Sequence, residues 1–289
     1  MKFAVIGGDM RLAMLAGLLA ADSHEVKTFA IEKTAPLRGV TQTSLAGEAA
    51  QGADCVVLPL PLATREGVLV TPLSGGLYTT REIFAALSPG QVICAGKVDD
   101  ASRETAGLMG LEIIDYIERE ELAVANAVAT AEGAVQLIME ETDVTLCRMR
   151  ALVIGFGRIG KLLCHRLRGM GAYVTASARS WADTAWIHAY GYEAMDTGRL
   201  EGALGKFDVV VNTVPARVLG YGRLRELKRG CLCLDLASRP GGVDFTAAAR
   251  LGVKAVWSLG LPGEVAPVTA GAIIRDTVYN ILSERGAAD

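Results

Sequence analysis

Three glycines, Gly155, Gly157 and Gly160, sit in ALVIGFGRIGKLL directly after an apolar run and at the head of a helical pattern. That setting suits a pyrophosphate. Gly155 permits a tight turn, Gly157 lets the backbone approach the anion, and Gly160 allows the helix to pack closely on its strand. The free N–H groups of the helix start, in the stretch that holds Arg158 and Ile159, complete an anion site. At the end of the next strand, where a carboxylate ordinarily grips the ribose of NAD, the chain reads SARS and offers Arg179 and Ser180 instead. A guanidinium that donates in pairs and a hydroxyl match a 2′-phosphate, so NADP is the expected dinucleotide. Thr213, Val214 and Pro215 follow a third apolar run in VVVNTVPA, where Val214 and Pro215 supply an apolar wall for the nicotinamide. Ala237, Ser238 and Arg239 end a fourth in LDLASRPGG, again on the ligand side.

These residues need a frame that brings several strand ends to one edge. FAVIG, EVKTFAI, CVVLPLP, QVICAG and LEIIDY alternate with helical segments over residues 2 to 120, and ALVIG, YVTASA, FDVVVN, CLCLDL and KAVWSLG repeat the rhythm afterwards. The alternation predicts an α/β protein of two doubly wound parallel-sheet domains, the second a Rossmann dinucleotide-binding domain. Between them ELAVANAVATAEGAVQLIMEETDV lacks strand alternation and is rich in helix formers, which predicts one long helix joining the domains and fixing a cleft. PVTAGAIIRDTVYNILSE predicts a last helix that returns to the first domain. The expected division is a flavodoxin-like substrate domain of residues 1–130 plus 267–289, and an NADP-binding domain of residues 131–266.

Composition narrows the partners. With 289 residues, 51% hydrophobic and 21% charged, the chain can bury a sizeable core, and disorder is excluded as a main theme. A net charge of -3 with scattered Lys and Arg leaves no footprint for nucleic acid or an anionic membrane. Asp9 and Arg11 break the first apolar run, which therefore reads as strand, turn and helix rather than a signal peptide. No uninterrupted run approaches the roughly 18 apolar residues of a membrane span, and a cytoplasmic setting is expected. The six cysteines form no C-x-x-C pair and no grouping with His24, His165 or His188, so no metal is expected. Cys231, Cys233 and Asp235 alternate along one buried strand, which points to packing for the thiols and a structural hydrogen bond for the carboxylate.

GGDMR at 7–11, TAEGA at 130–134, GFGRIG at 155–160, SARS at 177–180, NTVPA at 212–216, ASRPGG at 237–242 and GLPGEVAPVTAG at 260–271 together resemble the family of the dipicolinate synthase A-subunit, over nearly the whole chain. GFGRIG is generic, whereas ASRPGG followed by GLPG and AP-x-TAG is far more specific. The two-domain layout is also similar to that of D-2-hydroxyacid dehydrogenases. The resemblance implies an NADP-dependent oxidoreductase acting on a CH–CH bond, which oxidises dihydrodipicolinate or its hydrated precursor to dipicolinate in the mother-cell cytoplasm of a sporulating bacterium. It implies work alongside a flavoprotein-like dipicolinate synthase B-subunit, and a homo-oligomer is expected besides.

A dicarboxylate substrate calls for cations or N–H donors. Arg239 is the first choice, Arg11 a second, and helix starts near Asp9, Thr130 and Pro267 add donors. Arg239, Glu132 and Ser238 are the catalytic candidates, with Glu132 and Asp9 the carboxylates available for proton transfer. Each carries a bland alternative. Asp9 and Glu132 can serve helix starts, Arg11 can pair with Asp9, and SRPGG can be a plain turn. No histidine lies in a motif, which keeps open a non-catalytic NADP-binding scaffold whose partner does the chemistry. The generic layout keeps open a reductase of another small carboxylate.

Overall fold

The computed structural model describes residues 1–286. The chain divides into two compact units, Met1–Asn126 with the segment from Pro262 onward, and Ala127–Leu261. In the first unit the strands are β1 (Lys2–Ile6), β2 (Glu25–Phe29), β3 (Val40–Gln42), β4 (Cys55–Val57), β5 (Val92–Ala95) and β6 (Ile113–Asp115). Its helices up to the crossing are α1 (Met10–Ala21), α2 (Ala46–Ala50), α3 (Thr80–Ala85) and α4 (Asp100–Leu108). The chain passes into the second unit within α5 (Glu120–Glu141). There follow β7 (Arg150–Ile154), α6 (Arg158–Gly169), β8 (Tyr173–Ala178), α7 (Trp181–Ala189), β9 (Glu193–Asp196), β10 (Val209–Asn212), α8 (Tyr221–Leu224), β11 (Leu232–Asp235), α9 (Phe245–Leu251) and β12 (Lys254–Trp257). Helices α10 (Leu261–Val265) and α11 (Pro267–Glu284) complete the described chain.

Each unit holds one six-stranded sheet whose strand pairs are all parallel, in the orders β3-β2-β1-β4-β5-β6 and β12-β11-β10-β7-β8-β9. Counted from its own first strand, each sheet runs 3-2-1-4-5-6. That is the Rossmann order, so the flavodoxin-like label expected for the first unit is corrected, since a flavodoxin-like sheet runs 2-1-3-4-5. Strand order is a long-range property, and the spacing of apolar runs does not encode it. In both sheets the chain reverses direction of growth beside the first strand, and there the loops after β1 and β4, or after β7 and β10, diverge.

Apolar runs buried on both faces explain the parallel sheets: Ala4, Val5 and Ile6 of β1 and Ala151 to Ile154 of β7 are fully covered. The first sheet is closed on one face by α1 and α11, where Leu12, Leu15 and Leu19 pack with Ile274, Val278 and Ile281. Gly271 makes that packing possible, because a Cβ there would lie 2.8 Å from the Arg11 carbonyl oxygen. In the second sheet Leu152, Ile154, Val210 and Cys233 pack under Leu219, Leu224 and Ala248.

Helix α5 is long and apolar enough to span a membrane by length and composition. Its polar residues have other uses: Glu132 pairs with Arg166 at 2.9 Å and Glu141 with Lys254 at 2.7 Å, tying its second half into the dinucleotide-type unit. The helix starts near Glu120, so Thr130 and Glu132 lie in its middle and are not at a helix start as expected. An alanine-rich run on both sides carries the helix past the TAEGA signature.

Candidate active site

The carboxyl ends of β7, β8 and β10 surround a cavity of about 330 Å³ lined by Gly155, Gly157, Arg179, Asp183, Thr213 and Val214 among others. Its floor is the glycine turn. Gly155 adopts φ +98°, and a Cβ there would fall 2.3 Å from Thr213 Oγ1, so glycine is required on both counts. Thr213 is fixed in turn, because its hydroxyl and its backbone N–H both donate to the Ile154 carbonyl at 2.9 Å. Gly160 sits where a Cβ would strike the Gly155 carbonyl, which lets α6 begin directly under the turn.

Gly157 is the N-cap of α6, carries no capping side chain, and faces open space. The start of this twelve-residue helix, with the positive end of its dipole, therefore lies at the cavity wall with no side chain capping it. These residues fit a dinucleotide pyrophosphate. The corresponding turn of the first unit does not. There Asp9 occupies the N-cap of α1, accepting from the Arg11 N–H at 3.0 Å, and its carboxylate takes the place an anion would need.

Two side chains rim the cavity at the end of β8. Arg179 is exposed and makes no hydrogen bond or ion pair among the described residues. Ser180 caps α7, accepting from the Asp183 N–H at 3.0 Å and donating its hydroxyl to Asp183 Oδ2 at 2.7 Å. The hydroxyl assigned to a 2′-phosphate is thus spent on a carboxylate that sequence reasoning missed. Asp183 stands four positions past Arg179 and three past Ser180, whose helix-capping partner it is, and an S-x-x-D capping pattern was the signal available for it. A guanidinium and a carboxylate share this rim, and their opposite charges pull the choice between a phosphate and a hydroxyl in opposite directions.

At β10 and β11 the expected ligand-side residues follow the strand ends in register, with Asn212 paired to Asp235. Val214 and Pro215 line the cavity. Ala237 is buried, while Ser238 and Arg239 stand exposed on the turn that follows β11. Arg239 has no bonded partner among the described residues, which leaves its guanidinium available to an anion. Cysteine chemistry is remote from this site: burial pushes the Cys164 and Cys231 thiols up to about 12, so neither offers a thiolate near neutral pH.

Two further candidates are already paired. Arg11 donates to both Asp9 carboxylate oxygens, at 2.9 and 2.7 Å, and to the Leu60 carbonyl, so the expected free cation of the first unit is a neutralised ion pair. Glu132 lines a different groove, of about 580 Å³, with Val135, Met139, Arg166 and Met170, and its carboxylate is held by Arg166. That groove has no glycine turn and no free helix start, and Glu132 does not line the cavity at the glycine turn.

The fold and this cavity define a two-unit α/β protein with a dehydrogenase-type pyridine-nucleotide-binding unit, an oxidoreductase architecture. Residues 2–117 match the family model for the N-terminal domain of the dipicolinate synthase A-subunit, and residues 122–237 match that for the "D-isomer specific 2-hydroxyacid dehydrogenase, NAD binding domain". The chain is 30% identical over 286 residues to the dipicolinate synthase A-subunit of Bacillus subtilis (strain 168), covering 98% of this chain and 96% of that one. The crystal structure of the dipicolinate synthase A chain from Bacillus subtilis superposes with a TM-score of 0.88 at 30% identity, covering 100% of this chain and 98% of the other. That of the dipicolinate synthase A-subunit from Bacillus halodurans gives 0.88 at 28% identity, covering 98% and 97%. The chain belongs to the family of the dipicolinate synthase A-subunit.

Proposed function

We propose that this chain binds NADP in its second unit and oxidises dihydrodipicolinate, or its hydrated precursor, to dipicolinate. The observation that carries the reading is the uncapped start of α6 opening on the 330 Å³ cavity, in a chain of this family. When bound, the nicotinamide supplies a two-electron hydride acceptor, and aromatisation of the substrate ring releases one proton. The protein's share is binding and orientation. The N–H groups of α6 hold the pyrophosphate, Arg179 draws the 2′-phosphate, and Val214 and Pro215 wall the nicotinamide. Arg239, with Ser238 beside it, holds a substrate carboxylate. Because the ring gains aromaticity, holding it in register supplies most of what catalysis needs. The setting proposed with this reading is the mother cell of a sporulating bacterium, with self-association of this chain and a partner in the dipicolinate synthase B-subunit.

A scaffold role, with the chemistry on the B-subunit, draws on Glu132 being bound to Arg166 rather than directed at the cavity. One set of assays separates the readings. The purified chain, alone and with the B-subunit, is given NADP and freshly generated dihydrodipicolinate. NADPH and dipicolinate absorbance should rise together with the chain alone. Turnover confined to the B-subunit overturns the catalytic reading in favour of the scaffold, and no cofactor-dependent product from any combination overturns both.

A further inference from the structure

The loops after β10 and β11 are tied to each other by one buried pair of side chains. Asn212 and Asp235 are both fully buried, and Asn212 Nδ2 donates to Asp235 Oδ1 at 2.8 Å. Asn212 also organises its own loop: Nδ2 donates to the Val214 carbonyl at 2.9 Å and Oδ1 accepts from the Val214 N–H at 3.2 Å. Asp235 organises the other. Its carboxylate accepts from the backbone N–H groups of Ala237 at 3.1 Å, Gly242 at 2.7 Å and Val243 at 3.1 Å.

These four donors are all neutral, and they all belong to the strand ends and the turn between Ala237 and Val243. A buried carboxylate is expensive to hold without a cation, and here oriented N–H dipoles take that part. Nothing in the fold of the sheet requires it, because β10 and β11 are already paired by their backbones. The turn is also shaped around the pair. A Cβ on Gly242 would lie 2.3 Å from Asn212 Nδ2, and Trp257 Nε1 donates to the Ala237 carbonyl at 2.9 Å from the far side. The Ser238 carbonyl accepts from the Gly241 N–H at 2.9 Å, while the side chains of Ser238 and Arg239 have no partner among the described residues, so Asp235 anchors the turn that carries them at both of its ends.

We propose that Asn212 and Asp235 are positioning residues that lock the nicotinamide wall at Val214 and the Arg239 turn into one register, so that the guanidinium meets a substrate carboxylate at a fixed distance from the cofactor ring. This rests on the functional reading above, in which Arg239 takes the carboxylate. Because Asn212 holds Val214 through its own amide, Asp235 affects dicarboxylate binding through Arg239, and that dependence can be measured without turnover.

The probe is pyridine-2,6-dicarboxylate, titrated into the NADP-saturated whole chain. Asp235→Asn keeps the shape but offers an NH₂ group where an acceptor is needed; it weakens dicarboxylate binding by about tenfold, the usual scale for spoiling a buried hydrogen-bond set. Arg239→Ala weakens it by about tenfold or more through loss of a charge-assisted pair. The double variant binds no more weakly than Arg239→Ala alone, and NADP affinity in the single variant stays within about threefold of wild type because the pyrophosphate turn is untouched. Should Asp235→Asn fail to fold, Asn212→Ser, which removes the amide donor to Asp235 and leaves its three backbone donors, carries the same cycle with a smaller first loss. If the two losses multiply, or Asp235→Asn binds like wild type while Arg239→Ala does not, the positioning role is overturned and the functional reading stands. If Arg239→Ala binds the dicarboxylate like wild type, the functional reading falls and the positioning role falls with it.

Discussion

Arg179 and Asp183 share the rim of one cavity, and on the proposed reading the choice between NADP and NAD turns on which of them a ribose substituent meets first. Arg179 has no internal partner among the described residues, so a 2′-phosphate can take its guanidinium without breaking anything. Asp183 holds the Ser180 hydroxyl and the start of α7, so its charge is partly satisfied but still negative. Arg179→Ala should cost NADP roughly 1.5–3 kcal/mol, the range of a charge-assisted hydrogen bond, and leave NAD nearly unchanged. Asp183→Asn, which keeps the size and removes the charge, should tighten NADP by a few-fold and NAD not at all. Parallel titrations of the two dinucleotides check both, and equal losses for NADP and NAD in the Arg179 variant would show that the guanidinium reads something common to both. This rim was half legible in the sequence. Arg179 lies at the strand-end position that the glycine motif indexes, whereas Asp183 reaches the cavity because α7 begins at Trp181 and its third residue falls on the cavity side.

Among elements, the two helices that follow the first strand of each sheet give opposite answers to one problem. Asp9 and Gly157 occupy the same N-cap role with nearly the same backbone, φ -99° and ψ -165° against φ -78° and ψ -160°. In α1 a carboxylate caps the helix start from within the chain; in α6 no side chain does so. Gly157→Asp should therefore turn the second site into a copy of the first. The open space at Gly157 admits the side chain, and Asp in place of Gly at an N-cap is worth a few tenths of a kcal/mol. The ligand-free variant should melt slightly higher, by about 1 °C at about 2–4 °C per kcal/mol for a protein of this size. It should also lose dinucleotide binding, because the new carboxylate sits where the pyrophosphate would. Calorimetric melting and a binding titration on the same sample test the pairing, and a variant that is stabilised yet still binds NADP would remove α6 from the site. The glycine motif was readable because its spacing is local. TAEGA misled for the same reason: it matches a local helix-start pattern, although the run ELAVANAV before it already predicts the one long helix that α5 forms from Glu120.

At the level of the whole molecule, two sheets of one strand order divide the labour, and the last helix decides whether the first of them is complete. Helix α11 places Ile274, Val278, Ile281 and Leu282 into the core with Phe3, Leu12 and Leu15, residues that lie more than 250 positions earlier in the chain. The expected return of this helix was legible from its apolar spacing after Pro267, but the identity of its partner face was not, since α1 is apolar nearly all round. Ile274, which is 1% exposed, should cost about 2–5 kcal/mol as Ile274→Ala, through lost burial and the cavity left behind. Nucleotide binding acts elsewhere, since every residue that lines the glycine-turn cavity belongs to the second unit. A ligand raises the stability of the part that binds it, by RT ln(1 + [L]/Kd), about 2.7 kcal/mol at a hundredfold excess over Kd. Saturating NADP should therefore raise the unfolding transition of the second unit in wild type and variant alike, and leave the early loss caused by Ile274→Ala in place. Denaturant unfolding followed separately by tryptophan emission, since Trp181, Trp186 and Trp257 all lie in the second unit, and by hydrogen exchange of the α1 and α11 amides in the first measures both. If NADP restores the α1 and α11 amides to wild-type protection, the two units fold as one cooperative body, and the division of labour read from their helix starts does not extend to stability.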